Sequence, residues 1–516
     1  MKTLESYVLG RWQVGQGPTR TLVDPTTEEP LAVCGTGGID FRAVVEHARG
    51  AGGPALRALG FEKRGALLKS LSAAIHEHRD ELLELSIRCA GTTRSDAKFD
   101  VDGATGTLAA YAHFAKELKG AFLSDGTGIQ LGRTARFWGQ HILVPKLGVA
   151  LHVNAFNFPA WNMAEKMACA VLAGMPVIEK PGTPTAMLAW RIAQILVQSG
   201  CLPEGAFQLL CGSTGDLLDH LGPQDVIAFT GSSATGALLR GHPNVVRHNV
   251  HVNVEADSIN AAILGPDIST DSETYGIFLA NVELDLVQKT GQKCTAVRRI
   301  LVPEALREDV TRDLVERLQR VRVGDPGEEG TRMGPLASAD ALQEVRAGIE
   351  RLATSARVLC GGSAPVRPKG FFVAPTLLLA RDADADVPHA FEVFGPVGTV
   401  IPYSGAAGAA ARLANRGGGG LVASVYSNDR EWTEAVVLAI SPWHGRVWIG
   451  SDKVADQAIP PGTVLPASIH GGPGRAGGSA ELGGLRGLEP YLQRTAIQGF
   501  QGLVASAFGA PTPVSS

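Results

Sequence analysis

The chain lacks a surplus of charge of either sign. Its 47 lysines and arginines against 51 aspartates and glutamates leave a formal charge of -4. Nothing in that balance predicts non-specific attraction to nucleic acid or to an anionic membrane. Long apolar runs are missing as well. The longest candidate, Met167 to Ile178, falls far short of the roughly 18–20 residues that a bilayer-crossing helix needs. Glu5 stands where a secretion signal would be apolar, so a cytoplasmic protein is expected. Seven cysteines (34, 89, 169, 201, 211, 294 and 360) include no CxxC pair. They read as reduced thiols, without a zinc site or a disulfide framework.

What is present is material for more than one core. At 516 residues the chain exceeds the roughly 250–300 at which single cores stop growing, so two or three domains are expected. Between Leu147 and Glu255 strand-like and helix-like runs alternate: LGVALHVNAF, NMAEKMACAVLAG, PVIEKP, PTAMLAWRIAQILVQSG, AFQLLCG, DVIAFTG and VVRHNVHVNV. Such alternation implies parallel βαβ units, because a parallel crossover needs a helix-length connection. The fold class expected is α/β, with a doubly wound sheet whose ligands lie at the carboxyl ends of its strands. Residues from Glu5 to Lys119 read as mostly helical. A second α/β region follows Glu255, with RRILVP as a strand and ALREDVTRDLVERLQRVRVG as an amphipathic helix. The glycine-rich tail from Ser468, ending in APTPVSS, is expected to be mobile. RGGGG at 416–420 lacks the GK[ST] ending of a phosphate loop and reads as a bend.

Several short stretches could carry chemistry. Cys294 in TGQKCTAVRRI has a bland reading, since free cysteines are mostly buried filler. FTGSSATG follows a β-rich run and opens a helix, with Gly231 and Gly236 spaced for a turn onto a helix N-terminus. Backbone N–H groups there favour a phosphate, although this is not GxGxxG. Lys180 and Thr183 in EKPGTPTA and Glu255 in VNVEADSIN sit at strand ends, and Asn157 in NAFNFPAWN lies between aromatics before Pro159. Each alone reads as a solvated charge, a cap or a turn residue.

Together, in this order, and followed by EVFGPV at Glu392–Val397, they resemble the aldehyde dehydrogenases of the NAD(P)-dependent superfamily. VEADSIN in place of the usual ELGGK, and the tail HGGPGRAGGSAELGGLRG, resemble the branch that oxidises ring-opened CoA-thioester semialdehydes in aerobic aromatic degradation. The resemblance implies an aldehyde dehydrogenase-like α/β fold with a Rossmann-type cofactor domain at 1–132 and 148–256 and a catalytic domain at 257–466. It further implies an oligomerisation arm and tail at 133–147 and 467–516. TARFWGQHILVPKLG and QRTAIQGF would pair with a second subunit, as a homodimer or a dimer of dimers.

The resemblance also implies roles. Cys294 would be the nucleophile, Asn157 an oxyanion donor, and Glu255 the base, a task that suits a carboxylate whose pKa burial raises. Lys180 would reach the adenosine ribose, Gly231 and Ser232 the pyrophosphate, and Glu392 with Phe394 the nicotinamide ribose. Ala155, Phe156, Gly182, Thr183, Gly215, Thr230 and Ala256 complete the expected cofactor contacts. Thr183 is neutral where NAD-preferring relatives often carry glutamate, so NADP is expected over NAD. The segment between Glu255 and Cys294 is longer than usual, which implies an insertion. The partner expected is a small aldehyde, CoA-linked in this branch. Transfer of the acyl group to free CoA, or a non-redox cysteine acyltransferase, are the competing readings.

Overall fold

The structure, a computed structural model, describes residues 1–509. Its first seven-stranded sheet has five parallel strands in the order His251–Glu255, Val226–Thr230, Ala150–Val153, Val177–Lys180 and Phe207–Leu209. The antiparallel hairpin Ser6–Val8 and Arg11–Gln13 closes its edge. Successive strand residues enter different cores. Ala150, Val177, Leu209 and Val226 pack with the long helices of residues 53–114 and the helices Trp161–Ala173 and Ala186–Gln198. Leu151, Ile178, Leu210 and Ile227 pack on the other face with Phe41, Leu217 and Leu239. A strand buried on both faces reads as a continuous apolar run, which is why these elements were visible as strands.

A second seven-stranded sheet takes residues 260–450 in the order Ala356–Cys360, Thr376–Ala380, Val397–Tyr403, Val297–Pro303, Asn260–Leu264, Gly420–Tyr426 and His444–Gly450. Only its first pair is antiparallel. A third sheet is antiparallel throughout: Leu492–Phe500 beside Phe137–Pro145 beside Leu123–Gln130. The strand Leu123–Gln130 therefore joins this sheet although it precedes residue 133. No described helix is long and apolar enough to cross a membrane.

Two expectations need correction. The chain before residue 119 is helical only from Phe41 onward; the first 40 residues hold five strands of three to five residues. Such short strands carry too few alternations to register as a period-2 pattern. The tail from Ser468 is not loose either. It forms the hairpin Ile469–Gly472 and Ser479–Leu482, then the strand Leu492–Phe500 and the helix Gln501–Phe508. Its glycines permit close packing: a Cβ on Gly477 would lie 2.0 Å from the Val254 carbonyl oxygen, and one on Gly471 2.2 Å from that of Ser479. The final APTPVSS lies outside the described residues.

Candidate active site

Cys294 stands at the end of an unusual stretch of backbone. The helix Glu273–Val287 runs into a turn in which Lys289, Thr290 and Gly291 all have positive φ, at 52°, 56° and 66°. For Lys and Thr that conformation costs energy and persists only when surroundings enforce it. Here they do. Thr290 Oγ1 donates to the carbonyls of Gly334 (3.0 Å) and Pro335 (3.2 Å). A Cβ on Gly291 would meet the Gly395 oxygen at 2.3 Å, so only glycine passes. Beyond the turn, Asn260 Nδ2 donates to Cys294 O at 2.7 Å and Ala296 O at 2.9 Å. The Arg298 guanidinium donates to Gly291 O, Lys293 O and Gly395 O. The nucleophile candidate is thus held from both sides.

Three of the expected residues converge on it. Glu255 ends its strand buried, and its carboxylate lies with Cys294 Sγ and a histidine ring nitrogen within 4.8 Å of one another. Asn157 reaches the same loop, where Nδ2 donates to Gln292 O at 3.0 Å. One amide proton is used there, which leaves the second for a developing oxyanion. The histidine is His470, from the hairpin strand Ile469–Gly472. Its Nε2 is 3.0 Å from Glu255 Oε1 and 3.8 Å from Cys294 Sγ. Behind Glu255 lies a second buried group that the sequence did not suggest. Lys166 Nζ sits 3.2 Å from Glu165 and 3.3 Å from Glu481.

The electrostatics differ from expectation at one point. Burial alone would raise the Glu255 carboxyl, yet His470 and then Lys166 outweigh it and hold the group below its usual range. Glu255 is an ionised base, not a proton-holding one. The Cys294 thiol is pushed up, first by burial and then by the Glu255 carboxylate, with Glu165 and Glu392 adding to it. His470 is carried up by Glu255 and Glu165 in spite of burial.

The remaining predicted residues end or follow strands of the first sheet, except Glu392 and Phe394, which precede the second sheet's strand Val397–Tyr403. Thr230 ends one strand and donates through Oγ1 to Glu255 Oε2 at 3.3 Å. A Cβ on Gly182 would lie 2.5 Å from Phe156 N, so the turn after Lys180 packs backbone to backbone on Ala155 and Phe156. Gly231 N donates to Glu255 O at 3.1 Å, and a Cβ on it would strike the Phe229 ring at 2.6 Å. Ser232 caps the helix Ser233–Gly241, its hydroxyl accepting from Thr235 N. Gly215 has φ +48° and is exposed. Lys180 and Thr183 are half-exposed at the mouth, and burial lowers the Lys180 ammonium from its usual range. Ala256 N donates to Ala476 O. Glu392 accepts from Ser258 N at 3.1 Å and pairs with Arg298 at 3.4 Å. Burial raises its carboxyl to about 7. Phe394 and Phe156 meet edge to face at 6.0 Å. Asp257, which replaces a glycine of the usual motif, accepts from Ser233 N at 3.2 Å and so occupies part of the helix N-terminus. Backbone cradles at Gly182 and Gly231, half-exposed donors and a helix N-terminus fit an extended phosphate-bearing cofactor.

This arrangement, a buried carboxylate and a constrained cysteine beside a doubly wound cleft, fits an oxidoreductase that works with a nucleotide. Residues 12–492 match the aldehyde dehydrogenase family, and the chain belongs to it. It is 43% identical over 478 residues to the 3,4-dehydroadipyl-CoA semialdehyde dehydrogenase of Aromatoleum evansii, covering 91% of this chain and 93% of that protein. The chloroplastic betaine aldehyde dehydrogenase of Atriplex hortensis is 28% identical over 83% of this chain and 82% of its own. Among solved structures, Escherichia coli lactaldehyde dehydrogenase superposes with a TM-score of 0.84 at 25% identity, over 96% and 99% of the two chains. PnpE in complex with nicotinamide adenine dinucleotide gives 0.84 at 26%, over 96% and 97%. The family expected from GQKC and EVFGPV is the family found.

Sequence reasoning missed His470, Glu165, Lys166 and Glu481. No spacing ties them to Cys294, and a single histidine in a glycine-rich stretch gives no signal. Only the tail HGGPGRAGG, noted for its resemblance to one branch, contained the histidine.

Proposed function

We propose that this aldehyde dehydrogenase oxidises the aldehyde end of a CoA-linked semialdehyde from aromatic ring cleavage to the carboxylate, with NADP favoured as cofactor. The observation that carries the chemistry is the convergence of Cys294, Glu255 and Asn157 at one point. The Cys294 sulfur adds to the aldehyde carbon, and the oxygen that becomes anionic takes the free Asn157 amide proton and the Cys294 N–H as donors. A bound nicotinamide supplies the hydride acceptor. Loss of hydride leaves an acyl thioester on Cys294. Glu255, already ionised, takes a proton from the water that attacks this thioester, releasing the acid and the thiol. Its Oε1 is buried and accepts no hydrogen bond among the described residues, with the His470 ring nitrogen 3.0 Å away.

The substrate class is supported by the 43% identity to an enzyme named for a CoA semialdehyde. NADP is supported by Thr183 and Lys180 at the mouth and by the lack of any acidic residue between Lys180 and Trp190. We read the first sheet as the cofactor domain, the second as the catalytic domain, and the three-stranded sheet as an arm that pairs two subunits. Phe137, Phe500 and Leu503 are exposed on that arm, at 47%, 63% and 63%.

Glu255→Gln tests the mechanism. Mixed with the semialdehyde and NADP, it should yield at most one equivalent of NADPH per active site and then stall, because every further turnover needs the base to hydrolyse the thioester. Full steady-state turnover at neutral pH, with or without free CoA, would remove Glu255 from this role.

A further inference from the structure

Glu255 and Cys294 pose an electrostatic problem together. An ionised carboxylate within 4.8 Å of the sulfur opposes formation of the thiolate that must attack. The step that relieves this is transfer of the Cys294 thiol proton to Glu255, but it moves a negative charge from oxygen to sulfur inside a buried site. A charge moved in such surroundings needs a counterion that serves both positions.

His470 occupies that place. Its Nε2 is 3.0 Å from Glu255 Oε1 on one side and 3.8 Å from Cys294 Sγ on the other. The His470 and Glu255 side chains are 4% and 2% exposed, so water does not substitute for the ring. We propose that His470 is a further catalytic residue of this site, the shared counterion that lets the Cys294 proton pass to Glu255 and then faces the resulting thiolate. The inference rests on the reading of Cys294 as the nucleophile.

In this step the Cys294 S–H bond breaks and an O–H bond forms on Glu255, which gives that proton up to solvent after hydride transfer and is ionised again when water attacks the thioester. The imidazolium keeps its own protons, and the net charge of the three groups is unchanged. The ring need not move, because the negative charge goes from one side of it to the other. The groups that face the ring set its charge. Glu255 comes from the strand His251–Glu255, Glu165 and Lys166 from the helix Trp161–Ala173, and Glu481 from the opposite position of the hairpin. Arg446 comes from the strand His444–Gly450, and Cys294 from its own loop. Glu255 and Glu165 favour the imidazolium, while burial and Arg446 oppose it; the balance is upward. The backbone fixes the position of the strand, since a Cβ on Gly445 would come 1.8 Å from the Gly471 oxygen.

The proposal has a signature in pH dependence. Internal proton transfer changes no proton count, so the thiolate fraction it creates does not vary with pH while Glu255 and His470 both stay charged. The rate of Cys294 alkylation by iodoacetamide, identified by its absence in Cys294→Ala, should be flat between about pH 5 and 6.5, where the raised imidazolium keeps its proton. An isolated thiol below its pKa gains about tenfold per unit instead. His470→Gln and His470→Phe should each lose the plateau, rise tenfold per unit and react more than tenfold slower at pH 7. A tenfold-per-unit rise in the unmodified protein would overturn the proposal without any variant. So would a His470→Gln profile that matches the unmodified one, which is the result expected if the ring only fills space. Alkylation of Cys294 that leaves aldehyde oxidation intact would overturn the nucleophile reading, and this proposal with it. A plateau with full loss of oxidation supports both.

Discussion

Lys166→Met isolates the buried charge group behind Glu255. Lys166 Nζ is 3.2 Å from Glu165 and 3.3 Å from Glu481, with side chains 1%, 5% and 8% exposed. Glu481 has one further donor, Asn253 Nδ2 at 3.1 Å. Methionine fills a similar volume and removes only the ammonium, which leaves two buried carboxylates without the cation they share. Breaking a buried pair in this way costs about 3–5 kcal/mol. The sign of the pH dependence follows from Glu165. Burial holds its carboxyl above the usual range even with Lys166 opposing, and without Lys166 it rises further. A carboxyl whose folded pKa is raised contributes stability that is full below its unfolded value of about 4.3 and is lost as pH climbs through the folded value. The deficit of Lys166→Met should therefore be largest near pH 8 and shrink toward pH 5. Urea unfolding followed by tryptophan fluorescence at both pH values measures it, and Trp161 lies on the same helix as Lys166. A deficit below about 1 kcal/mol at pH 8 would mean that the cluster tolerates two unpaired carboxylates. A deficit that grows toward pH 5 would refute the assignment of Glu165 as the group that takes up the proton.

Three further outcomes are expected. Cys294→Ala should abolish aldehyde oxidation while cofactor binding, read by fluorescence quenching, stays within about threefold; retained oxidation would remove the nucleophile. Thr183→Glu should weaken NADP by about 2–3 kcal/mol, thirty- to more than a hundredfold, because it sets a carboxylate against the 2′-phosphate; kcat/KM for NADP and NAD in both proteins decides it, and an unmodified protein that prefers NAD would defeat the reading of Thr183. Asp257→Ala frees the first N–H of the helix Ser233–Gly241 from a carboxylate, so cofactor affinity should rise several-fold at low salt, at a helix cost of about 0.3–1 kcal/mol; weaker binding would show that Asp257 positions the helix instead.

The sequence was most legible where burial is uniform. VIAFT is buried at every position, and such a run announces a parallel strand without help from periodicity. The helices Trp161–Ala173 and Ala186–Gln198 were bounded correctly because Gly174 and Gly200 follow them in the left-handed conformation, at φ +97° and +65°. Edge strands of three to five residues before Phe41 offered no comparable signal. Cys294, Glu255 and Asn157 were legible only through their order along the chain, which is a resemblance and not a geometry.

The tail shows why the rest was hidden. Glycine-rich composition reads as freedom, yet Gly471, Gly472, Gly474 and Gly477 sit where another backbone comes too close for a side chain. Gly419 would place a Cβ 2.0 Å from the Pro473 oxygen, and Gly474 would place one 2.1 Å from that of Gly418. Glycine content alone does not separate a mobile segment from one pressed against its neighbours, because both need the same residue for opposite reasons. That ambiguity conceals His470, since composition alone assigns the hairpin that carries it to slack chain. It also explains the misjudged state of Glu255. Burial could be foreseen for a carboxylate ending an interior strand, and burial raises a carboxyl. What reverses the direction is a ring that lies 215 residues away in the chain and 3.0 Å away in space. The charge of a buried base is thus set by its contacts, and those exist only once the tail has folded back across the site.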